Sequence, residues 1–198
     1  MKKFTQCVML AAVAAVVPFM TGCGGGGGSE TPATVTSSAS VKMGEVKNYD
    51  QGVAFAAPEG WEEANRQSKI IVKFDNPNLD GQSVFVKNPV PSDVQTLTTV
   101  DDAKNSGLKG ELVTIGDYNW MRLTQRSRDS RTEDKFDNLN CTTVQFGKAY
   151  TVTVRGYEGQ NDNCDAIMNS VLEKIKFSEQ TTEPAVTIDE NTEFNVDF

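Results

Sequence analysis

Residues 142–154 read TTVQFGKAYTVTV, two runs of alternating apolar residues on either side of a glycine. A period of two is typical of β-strands that bury one face. We place a two-residue loop at Gly147 and Lys148, because glycine in the first loop position favours a type II′ turn. The stretch therefore predicts a β-hairpin whose inward-facing residues are Thr142, Val144 and Phe146 before the loop and Tyr150, Val152 and Val154 after it.

Similar patterns surround this hairpin between residues 47 and 177. Alternating residues predict further strands near 53–55, 70–74, 84–86, 112–115 and 120–125. Apolar residues at helical spacing predict one helix at 99–108, with Thr99 as its cap, and a second at 164–175. The sequence thus predicts an α+β domain, in which helices pack on an antiparallel sheet of about six strands.

The first 22 residues have the features of a signal peptide. Lys2 and Lys3 precede an apolar run at 8–20, which is too short to cross a hydrocarbon core of ~30 Å. The run ends in Met-Thr-Gly-Cys at 20–23, which resembles the bacterial lipobox. This predicts Cys23 as a lipid attachment site, and two or more acyl chains would hold it stably on a membrane. The alternative is an ordinary secreted protein in which Cys23 has no special role.

The residues after Cys23 and the last residues of the chain predict where the protein is anchored and which parts of it are disordered. Gly24 stands where an aspartate would resemble an inner-membrane retention signal, which favours the outer membrane over the inner one. Residues 23–46 are rich in Gly, Ser and Thr, which predicts a disordered tether. Residues 178–198 hold six acidic and no basic residues, which predicts a solvated tail, with docking of 186–188 on a sheet edge as the alternative.

Charge and histidine content exclude several classes of function. The chain carries 19 basic and 27 acidic residues, a formal net charge of -8, and such a chain lacks the basic surface that binds nucleic acid. Histidine is absent, which excludes serine and cysteine nucleophiles that need a histidine base, and also most zinc sites. We therefore expect no cofactor, no metal and no enzymatic activity, and retain a carboxylate-based hydrolase as the alternative.

Two cysteines, Cys141 and Cys164, fall in the folded part of the chain. An even pair in an exported chain predicts a disulfide, which closes a loop of about 23 residues and contributes roughly 3 kcal/mol in the chain-entropy model. Cys141 has the opposite parity to Val144, so the pairing requires that the closing helix covers the Cys141 face or that the strand begins after Cys141. Two reduced, buried thiols are the alternative.

Three arginines, Arg122, Arg126 and Arg128, share one face of a predicted strand. Guanidinium groups bind carboxylates and phosphates bidentately, so this stripe is a possible anion-binding surface. The alternative is a solvated strand face whose charge is balanced by the acidic residues at 129, 133, 134 and 137.

Three stretches together show a family resemblance: GVAFAAPEGW at 52–61, AYTVTV at 149–154 and KIKF at 174–177. In this order, with two hairpins and a closing helix between them, they resemble the PsbP-like domain family and its bacterial lipoprotein relatives over roughly residues 48–177. The resemblance implies an α+β sandwich and a non-catalytic accessory role, and it transfers no functional residue. We expect a lipid-anchored envelope module that binds an envelope protein, with a surface-displayed ligand-binding lipoprotein as the alternative.

Overall fold

The hairpin around Gly147 forms the centre of a large antiparallel sheet. A computed structural model of the chain describes residues 33–34, 40–65, 67–159 and 163–180. Within them the main sheet has nine strands, and six of these are five residues or longer: β5 (Ile70–Asp75), β6 (Ser83–Lys87), β8 (Glu111–Ile115), β9 (Tyr118–Arg128), β10 (Lys135–Gln145) and β11 (Lys148–Tyr157). The predicted α+β fold and its six principal strands are confirmed.

The remaining strands are short and lie at the edges. Three two-residue strands complete the main sheet: β1 (Ala33–Thr34), β4 (Glu62–Glu63) and β7 (Val90–Pro91). The strand order is β1-β8-β9-β10-β11-β6-β5-β4, and β7 pairs with β11. All described pairs are antiparallel except β1 with β8. A second sheet has the order β12-β3-β2 and contains β2 (Lys47–Tyr49), β3 (Val53–Phe55) and β12 (Lys176–Phe177).

The central turn differs by one residue from the prediction. Phe146 and Gly147 form the loop, with φ angles of 54° and 69°, and Gln145 pairs with Lys148. Positive φ at both central residues is typical of a type I′ turn, so the predicted type II′ loop at Gly147 and Lys148 is wrong. Moving the two-residue turn back by one position takes Phe146 out of the strand and into the loop. Phe146 is consequently exposed, and the residues that share the first strand's core face are Leu139, Cys141 and Thr143.

Helix α2 (Cys164–Lys174) and the second sheet cover this core face. Cys141 lies opposite Val152, and Leu139 lies opposite Val154, so both strands of the hairpin contribute to one apolar cluster. The helix buries Ile167, Met168, Val171 and Leu172 in the same cluster, as its amphipathic pattern predicts. Its N-cap residue is Asn163, whose side chain makes no capping hydrogen bond.

Helix α1 (Val100–Asn105) packs on the opposite face of the sheet, at the end near the central turn. Thr99 is its N-cap, as predicted, and forms a capping box with Asp102. Hydrogen bonds from Thr98 and Thr99 lower the pKa of Asp102 to about 2. A second apolar cluster lies under this helix and contains Leu97, Ala103, Leu112, Met121, Val144 and Ala149.

The domain begins earlier than the predicted boundary between residues 46 and 47. The Val41 backbone N–H donates to Ser170 Oγ on α2 at 2.9 Å, and Met43 bridges to Pro58. Both side chains are partly buried against the core, because Val41 and Met43 alternate as they do in a strand. The predicted tether at 23–46 is therefore too long, since residues 41–44 contact the domain.

Several predictions concern residues that the structure does not describe. The signal peptide at 1–22, the lipid attachment site Cys23 and the tail from residue 181 lie outside the described residues. In the part of the chain that is described, no helix is both long enough and apolar enough to cross a membrane.

Candidate functional site

The sheet face opposite α2 carries mostly polar and charged side chains beyond the end that α1 covers. Residues directly opposite each other in adjacent strands share a face, so the strand register defines its members. We call this surface the polar face; it comprises Lys73, Asp75, Ser83, Phe85, Lys87, Leu123, Gln125, Ser127, Phe136, Asn138, Asn140, Thr142, Thr151, Thr153, Arg155 and Tyr157.

Hydrogen bonds across strands fix the middle of the polar face. Thr153 Oγ1 donates to Asn140 Oδ1 at 2.8 Å, and the hydroxyls of Thr142 and Thr151 are 2.9 Å apart. Asn138 Nδ2 donates to Ser127 Oγ at 2.8 Å on the neighbouring strand. Paired polar groups avoid the cost of burying an unsatisfied donor or acceptor, so these side chains form a preorganised surface.

Arg155 stands at the end of the polar face that is far from the central turn. Its guanidinium carbon lies 3.6 Å from the centroid of the Phe136 ring, a cation–π contact. The Phe136 ring in turn stacks on Tyr157, with the ring centroids 4.8 Å apart. Arg155 Nε is buried without a hydrogen-bond partner, and among the described residues no carboxylate forms an ion pair with Arg155.

A concavity of about 270 Å³ opens beside Arg155. It is lined by two cations and three carboxylates: Lys73, Arg155, Asp75, Asp80 and Asp129. Lys73 Nζ lies 2.8 Å from Asp75, which leaves Arg155 as the unpaired cation among these lining residues. The backbone N–H groups of Arg131 and Thr132 lower the pKa of Asp129, and the nearby charges of Arg131 and Arg155 lower it further, so its carboxylate stays ionised.

The loop at 76–82 forms one wall of this concavity. Asn76 Oδ1 accepts from the Asn78 backbone N–H at 2.9 Å, and Asn76 Nδ2 donates to Gln82 Oε1 at 2.7 Å. Gly81 has a φ of +74°, and a Cβ atom there would lie 2.4 Å from the Tyr157 ring. Among the described residues, no group of three or more Cys, Asp or Glu side chains is arranged to hold a metal ion.

The predicted arginine stripe lies on the other face of β9, on the same side of the sheet as α2. Arg122 pairs with Asp165 at the start of α2, and Arg128 pairs with Glu133. Arg126 lies 3.5 Å from Asp137 and 3.3 Å from Glu158. An anion that binds these three arginines would therefore compete with carboxylates that already lie beside them. The anion-binding role of Arg122, Arg126 and Arg128 stays a prediction.

The two cysteines meet the geometric condition that the sequence sets for a disulfide. Cys141 and Cys164 are both buried in the cluster under α2, so the closing helix does cover the Cys141 face. Both are thiols in this structure. Burial raises the pKa of Cys141 to about 12, and burial followed by the nearby Asp165 raises the pKa of Cys164. The disulfide itself stays a prediction.

Sequence reasoning missed Arg155, and one signal could have found it. Thr151, Thr153 and Arg155 alternate with Val152 and Val154, so the arginine is in phase with the polar side of an otherwise apolar strand.

Comparisons with known proteins assign no function. No protein-family model matches the chain, and no curated protein matches it. Solved structures that resemble it include a Bacteroides thetaiotaomicron crystal structure, with 11% identity and a TM-score of 0.49 over 65% of this chain and 46% of the other. The chain thus spans about half the length of that protein.

The solution structure of cyanobacterial PsbP from Synechocystis is also similar, with 15% identity and a TM-score of 0.37 over 73% of this chain and 97% of that protein. A PsbP structure is thus among the solved structures that resemble the chain. Similarity at this level does not establish family membership.

Replacing Gly81 tests whether Tyr157 is held in the stack that supports Arg155. Gly81→Ala forces a residue with a Cβ into positive φ and pushes that atom into the Tyr157 ring. Gly60→Ala is the matched control, because Gly60 has a φ of +80° and a Cβ atom added there would meet nothing within 4 Å. We expect Gly60→Ala to cost roughly 1 kcal/mol of unfolding free energy and Gly81→Ala about 1 kcal/mol more, as measured by urea unfolding. Equal costs would mean that Tyr157 moves aside freely and that the stack is not fixed.

Proposed function

We propose that this chain is an exported, lipid-anchored, non-catalytic binding module of a bacterial envelope, which holds another envelope component at the Arg155 end of its polar face. The observation that carries the proposal is the state of Arg155. Its guanidinium is positioned over Phe136 and lines a concavity, and among the described residues it has no ion-pair partner. A charged group held in this way is ready to accept a carboxylate or phosphate from a partner.

The charges around Arg155 describe the partner's complementary surface. Asp80 and Asp129 line the same concavity, and Tyr157 donates to Asp80 Oδ2 at 3.4 Å. A partner that presents an anionic group to Arg155 and a cationic or hydroxyl group to these aspartates would satisfy both. Such a mixed-charge site suits a polar segment of a protein better than a simple anion.

Asp129 suits binding better than the donation of a proton. Asp129 is hydrogen-bonded to two backbone N–H groups that lower its pKa, and Asp75 is paired with Lys73. A general acid needs a carboxyl group that is protonated near neutral pH. Asp129 therefore does not meet this requirement of a general acid, which is consistent with the accessory-module hypothesis.

The proposed location rests on the sequence up to residue 24. A signal peptide at 1–22 and a lipidated Cys23 would place the domain on a membrane, with the outer membrane favoured by Gly24. Anchoring restricts the domain to the layer next to the bilayer, which raises its effective concentration towards other membrane components.

Lipidation can be measured by metabolic labelling with a clickable palmitate analogue. We expect the full chain to incorporate the label and the Cys23→Ala variant to incorporate none, because the thiol is the only acceptor in the lipobox. Cys7→Ala is the matched control and should be labelled as well as the wild type. Equal labelling of the wild type and Cys23→Ala would contradict the lipid anchor.

Partner binding can be measured by cross-linking in intact envelopes, followed by quantitative mass spectrometry of the captured proteins. We expect Arg155→Gln to reduce recovery of the partner about tenfold, which is the loss expected for one charge-assisted hydrogen bond. Arg128→Gln is the matched control, since it removes the same charge from the arginine stripe. Recovery that falls with Arg128→Gln but not with Arg155→Gln would overturn the Arg155 site in favour of the stripe.

A further inference from the structure

A second concavity of about 260 Å³ lies in the middle of the polar face, beside the loop that follows α1. We call it the lysine groove and define it by six of its lining residues: Lys87, Leu108, Lys109, Leu123, Thr142 and Thr151. It shares no lining residue with the concavity beside Arg155, so the two sites are separate on the same face.

The lysine groove is cationic in an acidic chain. None of its lining residues is Asp or Glu, although the chain has a formal net charge of -8. Neither Lys87 nor Lys109 forms an ion pair within the described residues. Lys87 is an exposed residue whose pKa is lowered by partial desolvation, and a bound anion would stabilise its charged form. Two uncompensated ammonium groups on one concave surface favour an anionic ligand.

The threonine pair on the groove wall supplies a hydrogen-bond donor. The hydroxyls of Thr142 and Thr151 lie 2.9 Å apart, so one donates to the other. Each hydroxyl carries one proton, and this contact uses only one of the two. The second proton is available to an acceptor on a ligand, next to the two lysines.

The other side of the groove is apolar. Leu108, Met121 and Leu123 line it, and Leu108 also packs against the cluster under α1, which fixes its position. An inorganic anion would leave these side chains exposed to water, whereas the hydrocarbon part of an organic anion would cover them. The volume is slightly below the usual range for drug-sized ligands, so the fitting molecule has about ten non-hydrogen atoms.

We infer that the lysine groove binds a small organic carboxylate, with its carboxylate between Lys87 and Lys109 and its apolar part on Leu108 and Leu123. The Thr142 and Thr151 pair donates one hydrogen bond to the carboxylate. This site adds a ligand to the module and does not depend on the Arg155 partner or on the lipid anchor.

The binding test uses the full chain and 3-phenylpropionate as the probe, with binding followed by saturation-transfer NMR. We expect a Kd of about 1 mM or tighter, which is reasonable for a ligand of this size. The neutral amide, 3-phenylpropionamide, should bind at least tenfold more weakly, because it lacks the charge. Inorganic phosphate should also bind at least tenfold more weakly, because it lacks the apolar part.

Charge-neutral variants locate the site. Lys87→Gln and Lys109→Gln should each weaken binding of the probe at least fivefold. Lys42→Gln is the matched control, since Lys42 is an exposed lysine paired with Glu59 away from the groove, and it should leave the Kd unchanged. Thr142→Val should weaken binding about threefold without altering the charge. Arg155→Gln should bind the probe as the wild type does, which separates this site from the partner site.

Four results would overturn the inference. The first is no detectable binding of the probe at 10 mM, and the second is equal affinity for the probe and for either the amide or inorganic phosphate. The third is an equal effect of Lys42→Gln and Lys87→Gln on the Kd. The fourth is full affinity in the double variant Lys87→Gln, Lys109→Gln. Thermal unfolding of each variant, compared with that of the wild type, shows whether the fold is intact before a loss of binding is interpreted.

Discussion

The pairing of β10 with β11 is the constraint on which the rest of the structure depends. Phe146 and Gly147 form the turn, and their positive φ angles fix Gln145 opposite Lys148. Every residue of both strands then points to a defined face. One face takes Leu139, Cys141, Val152 and Val154 into the core under α2, and the other presents the hydrogen-bonded threonines and asparagines. A turn one residue later would shift the pairing by two residues, so that Cys141 would lie opposite Val154 instead of Val152.

The polar face follows from this register. Because the core face is closed by α2 and the second sheet, the opposite face is where the central strands meet solvent beyond α1. It carries two concavities of different chemistry. The one beside Arg155 has cations and carboxylates together and suits a partner of mixed charge, while the lysine groove has cations and apolar side chains and suits a small organic anion.

Much of the fold could be predicted from the sequence because local patterns specify it. Thr99 and Asp102 form the capping box of α1, and the apolar spacing of α2 indicates its buried face. The turn type could not be predicted, because a phenylalanine at a positive φ is sterically unfavourable and only the pairing of two long strands holds it there. The start of the domain could not be predicted either, because Val41 and Met43 are two isolated apolar residues in a polar segment.

The candidate sites were harder to predict, because they depend on which strands become neighbours. Lys87 and Lys109 are 22 positions apart in sequence and line one groove only because β6, β11, β10 and β9 are adjacent. The position of the Arg155 guanidinium depends on the ring of Phe136, which lies on the neighbouring strand. The arginine stripe, by contrast, was visible because its members lie in one strand, but its ion pairs with residues of α2, β10 and the loops could not be read from spacing.

The assignment of the two faces of β10 is tested most directly by the accessibility of two neighbouring thiols. Cys141 in the reduced full chain, and a cysteine introduced by Thr142→Cys, would be alkylated under native conditions and quantified by peptide mass spectrometry, with the denatured chain as the reference. We predict that Cys141, which is 0% exposed and has a pKa raised to about 12, reacts at least about 10³-fold more slowly in the native protein. The introduced thiol on the polar face should react within about tenfold of its rate in the denatured chain. Fast labelling of Cys141 together with protection of the neighbouring thiol would contradict the assignment of the two faces, and with it that of the polar face.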